Sequence, residues 1–146
     1  MAAGSVYCDL RSGIQVQLMN RYLRCKYEDG ARGPDKFDCW GLVRHIRHYD
    51  LGFRLLPEFG GLRNTDPRGF TRAYEAESAL MERCEPEHGA IAAVLIGRTC
   101  VHVALIYTDQ DRLMVIEINP ERGARRLPLS SWLRGHNTVT FHRDAK

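Results

Sequence analysis

Cys39 stands in Phe37-Asp38-Cys39-Trp40-Gly41-Leu42-Val43. Asp38 is a good helix N-cap, and Leu42, Val43 and Ile46 follow at helical spacing, so Cys39 is expected on the first turn of a helix. Backbone N–H groups there have no helical partner, and the positive end of the helix dipole is close. Both favour a thiolate, the species that attacks a carbonyl. The same N–H groups suit an oxyanion, and Gly41 is read as leaving room for a substrate at this turn. Such a nucleophile needs a base, and the best placed is His102 in Val101-His102-Val103-Ala104-Leu105-Ile106-Tyr107. Strand alternation puts His102, Ala104 and Ile106 on one face, which is expected to turn toward the helix carrying Cys39. The base needs an orienting group, and the next apolar run supplies two candidates on one face, Glu117 and Asn119.

The elements that must hold these residues follow from periodicity. A first helix is expected from Gly13 to about Arg24, then a Gly-rich charged loop from Tyr27 to Pro34. The helix opened by Asp38 should end at Gly52. Residues 53–68 carry Pro57, Gly60, Gly61 and Pro67 and read as a long irregular loop. A third helix is expected from about Gly69 to Cys84, with Phe70, Ala73, Tyr74, Leu80 and Met81 inward. Then the pattern changes: Ala90–Ile96, Val101–Tyr107 and Leu113–Ile118 read as strands joined by tight turns, with Val139–Phe141 as a last one. Helices followed by an antiparallel sheet make an α+β fold, with N-terminal helices packed on a central sheet. The 146 residues are read as one domain, 1–146.

Composition narrows the function classes. Hydrophobic residues are 44% and charged residues 27%, values of a soluble globular chain. A net charge of +3 is too small to point to nucleic acid, and no apolar run approaches a membrane span. Arg122, Arg125 and Arg126 cluster but are broken up, and read as a solvated loop. The five cysteines show no framework spacing, which fits a reducing compartment. Met1 to Asp9 lacks a basic stretch followed by an apolar one, so the chain is expected to be made in the cytoplasm with no signal peptide. His45 and His48 lie three apart on a helix, yet no further ligand pair accompanies them, so neither metal nor cofactor is expected.

The Phe37–Val43 segment, followed by His102-Val103-Ala104-Leu105-Ile106-Tyr107, resembles the NlpC-type cysteine peptidases. Their usual pattern is Asp-Cys-Ser-Gly-Leu-Val at a helix start and a later His-Val-Gly-Ile-Tyr strand. Trp40 in place of Ser, with Asp29-Gly30-Ala31-Arg32-Gly33-Pro34 before the Asp-Cys pair, is similar to the branch found in phage tail-assembly proteins. The likeness runs from about Tyr22 to Arg143. It implies a papain-like fold and a Cys-His-polar triad that hydrolyses amide bonds of peptidoglycan stem peptides. The resemblance makes Cys39 the nucleophile, His102 the base, and Glu117 or Asn119 the third member. It puts Tyr27, twelve residues before Cys39, at the oxyanion or substrate site, and Asp38 within reach of a substrate amine. It further implies a cell-wall peptide as substrate and phage tail proteins as partners, with the chain incorporated in a tail. This chain departs from the pattern in three places, the first being Glu117 in a slot the family usually fills with His, Asn or Gln. Trp40 is expected to reshape the cleft, and Pro86-Glu87-His88-Gly89-Ala90 lacks the Asp of the family's Pro-x-x-Gly-Asp. A structural tail-assembly role without catalysis, or acyl transfer through the same dyad, are the alternatives.

Overall fold

The computed structural model describes residues 19–60, 62, 63 and 65–146. The first helix expected from the sequence lies largely outside the described residues, and of it only residues 19–22 appear as helix.

A mixed antiparallel sheet-and-helix architecture, α+β, is what the chain adopts. Six strands pair in the order β3-β8-β4-β5-β6-β7, every neighbour antiparallel. They are β3 (Met81–Arg83), β4 (Ile91–Ile96), β5 (Thr99–Asp109), β6 (Arg112–Asn119), β7 (Gly123–Pro128) and β8 (Val139–Asp144). A two-residue parallel pair, β1 (Lys26–Tyr27) and β2 (Lys36–Phe37), precedes α1 (Cys39–His45). α1 runs on into a π-helical turn, Ile46–Asp50, and closes at Gly52, whose φ of 79° is the left-handed conformation glycine tolerates. Two further helices among the described residues are α2 (Pro67–Ser78) and α3 (Leu129–Leu133). Among the described residues no helix is long and apolar enough to cross a membrane.

The sheet is buried on both sides. Val103, Leu105 and Tyr107 of β5 and Ile116 and Ile118 of β6 pack with Leu42, Val43 and Ile46 of α1. The alternate residues Ala104, Ile106 and Val115 pack with Leu129 and Trp132 of α3. The period-2 alternation therefore holds, but its sense differs from the sequence reading: the side of β5 carrying Ala104 and Ile106 meets α3, and the intervening side meets α1.

Three elements correct the sequence reading. The expected helix to Cys84 stops at Ser78. Asp66 caps it by accepting a 3.0 Å bond from Gly69 N, Pro67 takes its first turn, and after Leu80, which is 70% exposed, Met81 begins a strand. Of the arginines read as a solvated loop, Arg122 does lie in the exposed β6–β7 turn, but Arg125 and Arg126 belong to the edge strand β7, in register with β6 from Asn119–Gly123 to Met114–Pro128. Its arginines are half-buried and engaged, so their charge hid a strand that pairs on one side only. The last strand runs to Asp144 rather than Phe141. It is held at that end by Arg47, which is fully buried, with Nη2 2.9 Å from Asp144 Oδ1 and Nε donating to Gly89 O at 2.9 Å.

The irregular segment before α2 is tied down by α1. Trp40 Nε1 donates to Pro57 O at 2.8 Å, Arg44 Nε to Leu56 O at 2.9 Å, and His48 Nδ1 to Phe53 O at 2.8 Å. Residues 40, 44 and 48 are four apart and so line one helical face. The loop runs antiparallel to that face, presenting its carbonyls in reverse order. A carbonyl only accepts, so His48 carries its hydrogen on Nδ1.

Candidate active site

Cys39 is the first residue of α1, and Asp38 caps that helix as its sequence suggests. Asp38 Oδ1 accepts from Gly41 N at 2.7 Å and from Arg32 Nη1 at 2.7 Å, while Oδ2 accepts from Gly30 N at 3.0 Å. Both oxygens are committed to the turn and Asp38 is buried, so the side chain serves structure here. Asp38 O takes the first helical bond, from Leu42 N at 3.0 Å. The amides of Gly41 and Leu42 are thus accounted for, and those of Cys39 and Trp40 are the two in this turn without a helical acceptor.

Gly41 answers to packing rather than to substrate. A Cβ at this position would lie 2.3 Å from Ala31 O, so the loop backbone already fills the space. Trp40 also differs from expectation. It is 1% exposed, turned under the 56–59 segment, with Phe59 at a ring distance of 5.0 Å and Tyr74 edge-on at 6.4 Å. Its bulk braces the loop from within.

β5 and β6 bring up the partners. Their ladder runs from Asp109–Arg112 to Leu105–Ile116. Beyond it, His102 keeps its partner on β4, Val94, and Glu117 keeps its partner on β7, Arg125. A bulge lies just ahead: Leu95 pairs with Cys100 and Val94 with His102, leaving Val101 as the extra residue. At this open end the Cys39 thiol is near enough to the His102 ring to raise its pKa, and His102 Nε2 lies 2.8 Å from Glu117 Oε1. The carboxylate only accepts, so Nε2 bears a hydrogen and Nδ1 is the nitrogen left to exchange a proton with sulfur.

Of the two candidates for the third position, Glu117 is the one on the ring. Asn119 Oδ1 instead accepts from Glu121 N at 3.1 Å and Arg122 N at 2.7 Å, closing the β6–β7 turn. Tyr27 pairs with Phe37 across β1 and β2, two residues before Cys39, and packs against the main core.

Glu117 is 2% exposed, a burial that needs compensation. It receives three donors: His102 Nε2, Trp132 Nε1 at 2.8 Å on the same Oε1, and Arg125 Nε at 2.7 Å on Oε2. Burial alone would raise its pKa. The hydrogen bond and charge of His102, joined by the bonds from Trp132 and Arg125, hold it instead at about 2. Burial alone would lower His102, yet Cys39 and Glu117 raise it to about 9, which favours imidazolium. Arg125 and Trp132 escaped the sequence reading. Arg125 was within reach, because a β6–β7 hairpin turning at Asn119–Gly123 sets residue 125 opposite 117; Trp132 carried no such signal.

Cys39 itself is 3% exposed. The open surface lies on the His102 side, a groove of about 490 Å³ lined by Val94, Val101, His102, Glu117, Arg122 and His136 among others. Elsewhere, burial raises the pKa of Cys25, Cys84 and Cys100, the last to about 12. His45 packs edge-on against Phe37 and near Tyr49, and His48 is held by Phe53 O. Among the described residues no group of three or more His, Cys, Asp or Glu is placed to hold a metal.

No family model matches the chain, and no curated protein matches it.

Proposed function

We propose that the protein is a cysteine hydrolase of papain-like arrangement in which Cys39, His102 and Glu117 act in that order. One observation carries the reading: a thiol on the first turn of a helix acts on an imidazole whose Nε2 bonds a buried carboxylate. Helix-start position and imidazolium both favour thiolate. The thiolate sulfur adds to an amide carbonyl carbon, and the carbonyl π pair moves to oxygen. The Cys39 N–H, without a helical acceptor, would receive that oxyanion, and the motif resemblance gives Tyr27 a share in the same role. As the tetrahedral adduct collapses, the C–N bond breaks and the imidazolium gives its proton to the leaving amine. His102 then takes a proton from water, hydroxide adds to the thioester, and the acid leaves as sulfur departs. Glu117 holds the tautomer and stabilises the charged ring throughout.

The motif resemblance directs the substrate to bacterial peptidoglycan stem peptides and the setting to a phage or prophage tail. An amine in place of water would make the same thioester an acyl-transfer intermediate. A second reading, a tail-assembly component that retains the fold without catalysis, is favoured by one observation, the 3% exposure of Cys39.

The test is the pH dependence of alkylation at each cysteine, read by peptide mass spectrometry, in wild type and His102→Ala. Modification of Cys39 well below about pH 7, abolished in the variant, is expected. Ordinary thiol titration of an accessible Cys39 would overturn the catalytic reading. Release of peptide fragments from purified cell wall, lost in Cys39→Ser, then separates hydrolysis from a structural role.

A further inference from the structure

Holding one imidazole takes one carboxylate oxygen, yet Glu117 is gripped at both. Trp132 Nε1 reaches Oε1 from α3 and Arg125 Nε reaches Oε2 from β7. A carboxylate bonded only to His102 can turn about its side-chain torsions. Two further donors, from different elements and on different oxygens, remove that freedom. The Trp132 indole is itself fixed, 1% exposed, with His136 4.5 Å from it ring to ring.

The charges around Glu117 add a second argument. His102 from β5 and Arg125 from β7 act on Glu117, Cys39 from α1 acts on His102, and Glu117, His102 and Arg125 all act on His136 after α3. In the reactive form, with His136 neutral, thiolate and carboxylate supply two negative charges, and imidazolium and guanidinium two positive ones. Without Arg125 this mostly buried row carries an excess negative charge, which opposes thiolate formation.

We propose that Arg125 and Trp132 are positioning residues acting through Glu117: Trp132 fixes the oxygen that faces His102, and Arg125 supplies the charge that makes the thiolate–imidazolium–carboxylate row neutral. The proposal rests on the reading of Cys39 and His102 as a reactive dyad. Arg125 lies directly opposite Glu117 in the β6–β7 ladder, so strand register alone delivers its side chain to the carboxylate.

The experiment is the pH profile of Cys39 alkylation by iodoacetamide, a neutral reagent whose approach does not depend on Arg125. It is run on the full chain as wild type, Arg125→Gln, Arg125→Lys and Trp132→Phe, with thermal melts to check folding. In Arg125→Gln the acid limb is expected to move up by about one pH unit. Arg125→Lys keeps the charge and should return the limb close to wild type, and it stays informative if the Gln variant does not fold. Trp132→Phe keeps the ring and loses the donor, so a smaller shift in the same direction and a slower plateau rate are expected. A wild-type acid limb that stays put in both Arg125→Gln and Trp132→Phe overturns this proposal and leaves the dyad standing. Equal shifts in Arg125→Gln and Arg125→Lys overturn the charge role. Absence of the low-pH limb in wild type overturns the dyad reading, and this proposal with it.

Discussion

Glu117 Oε1 lies 2.8 Å from His102 Nε2, although strand register extended beyond Leu105–Ile116 would set Asn119, not Glu117, directly opposite His102. The contact is a diagonal one between strands whose ladder has already closed. Its partner choice makes the pair an ionic one, with consequences for stability.

The first consequence is a stability profile with two shoulders. Glu117 has a folded pKa of about 2 against 4.5 for a free carboxyl, so its contribution is complete above about 4.5 and is lost as pH falls toward 2. His102 runs the other way, with a folded pKa of about 9 against 6.5; its contribution is complete below about 6.5 and is lost as pH rises through 9. Urea unfolding from pH 3 to 10 should therefore show both declines, each attenuated in Glu117→Gln. At pH 6, Glu117→Ala should lose about 3 kcal/mol, since it strands Arg125 and His102 beside an empty site. A profile that is the same in wild type and Glu117→Gln would count against the pair.

A second prediction concerns the other thiols. Burial pushes Cys100 up to about 12 and also raises Cys25 and Cys84. Iodoacetamide at pH 8 should leave Cys100 essentially unmodified in the folded protein and modify it fully in urea. Rapid native-state labelling of Cys100 would show that the α2–β5 packing opens readily.

Gly41→Ala tests the turn that carries the nucleophile. The new methyl carbon would sit 2.3 Å from Ala31 O and 3.2 Å from Asp38 Oδ1. The turn has to shift, at a loss of about 1–3 kcal/mol. Chemical denaturation should record that loss, and low-pH labelling of Cys39 should fall with it. A variant with wild-type stability and labelling would mean that the loop yields at no cost.

Trp40→Phe separates the clasp on the loop from core filling. It removes the donor to Pro57 O but keeps an aromatic ring between Phe59 and Tyr74. A loss of about 1 kcal/mol from the hydrogen bond is expected, plus a contribution from lost ring volume. Amide exchange should quicken in residues 53–59 and hardly change in β5. Uniform acceleration across the sheet would point to global destabilisation instead.

Local chemistry in the chain carried the helix start at Asp38-Cys39 and four of the sheet's strands, because N-caps, period-2 runs and short turns act between near neighbours. The α+β layout was legible for the same reason. Tertiary structure decided what depends on distant segments meeting. It ended α2 at Ser78, where Met81 could join β8, and made a strand of Gly123–Pro128, whose arginines look like solvent-facing residues until Glu117 lies opposite. It turned Trp40 inward because the 53–59 segment offers a carbonyl to its indole. It set the Ala104 side of β5 against α3, since alternation tells which residues share a side and not which layer covers it. It also chose Glu117 over Asn119. Asn119 is drawn into the β6–β7 turn by two backbone donors, while a buried carboxylate is sustained only where His102, Arg125 and Trp132 converge from three separate elements.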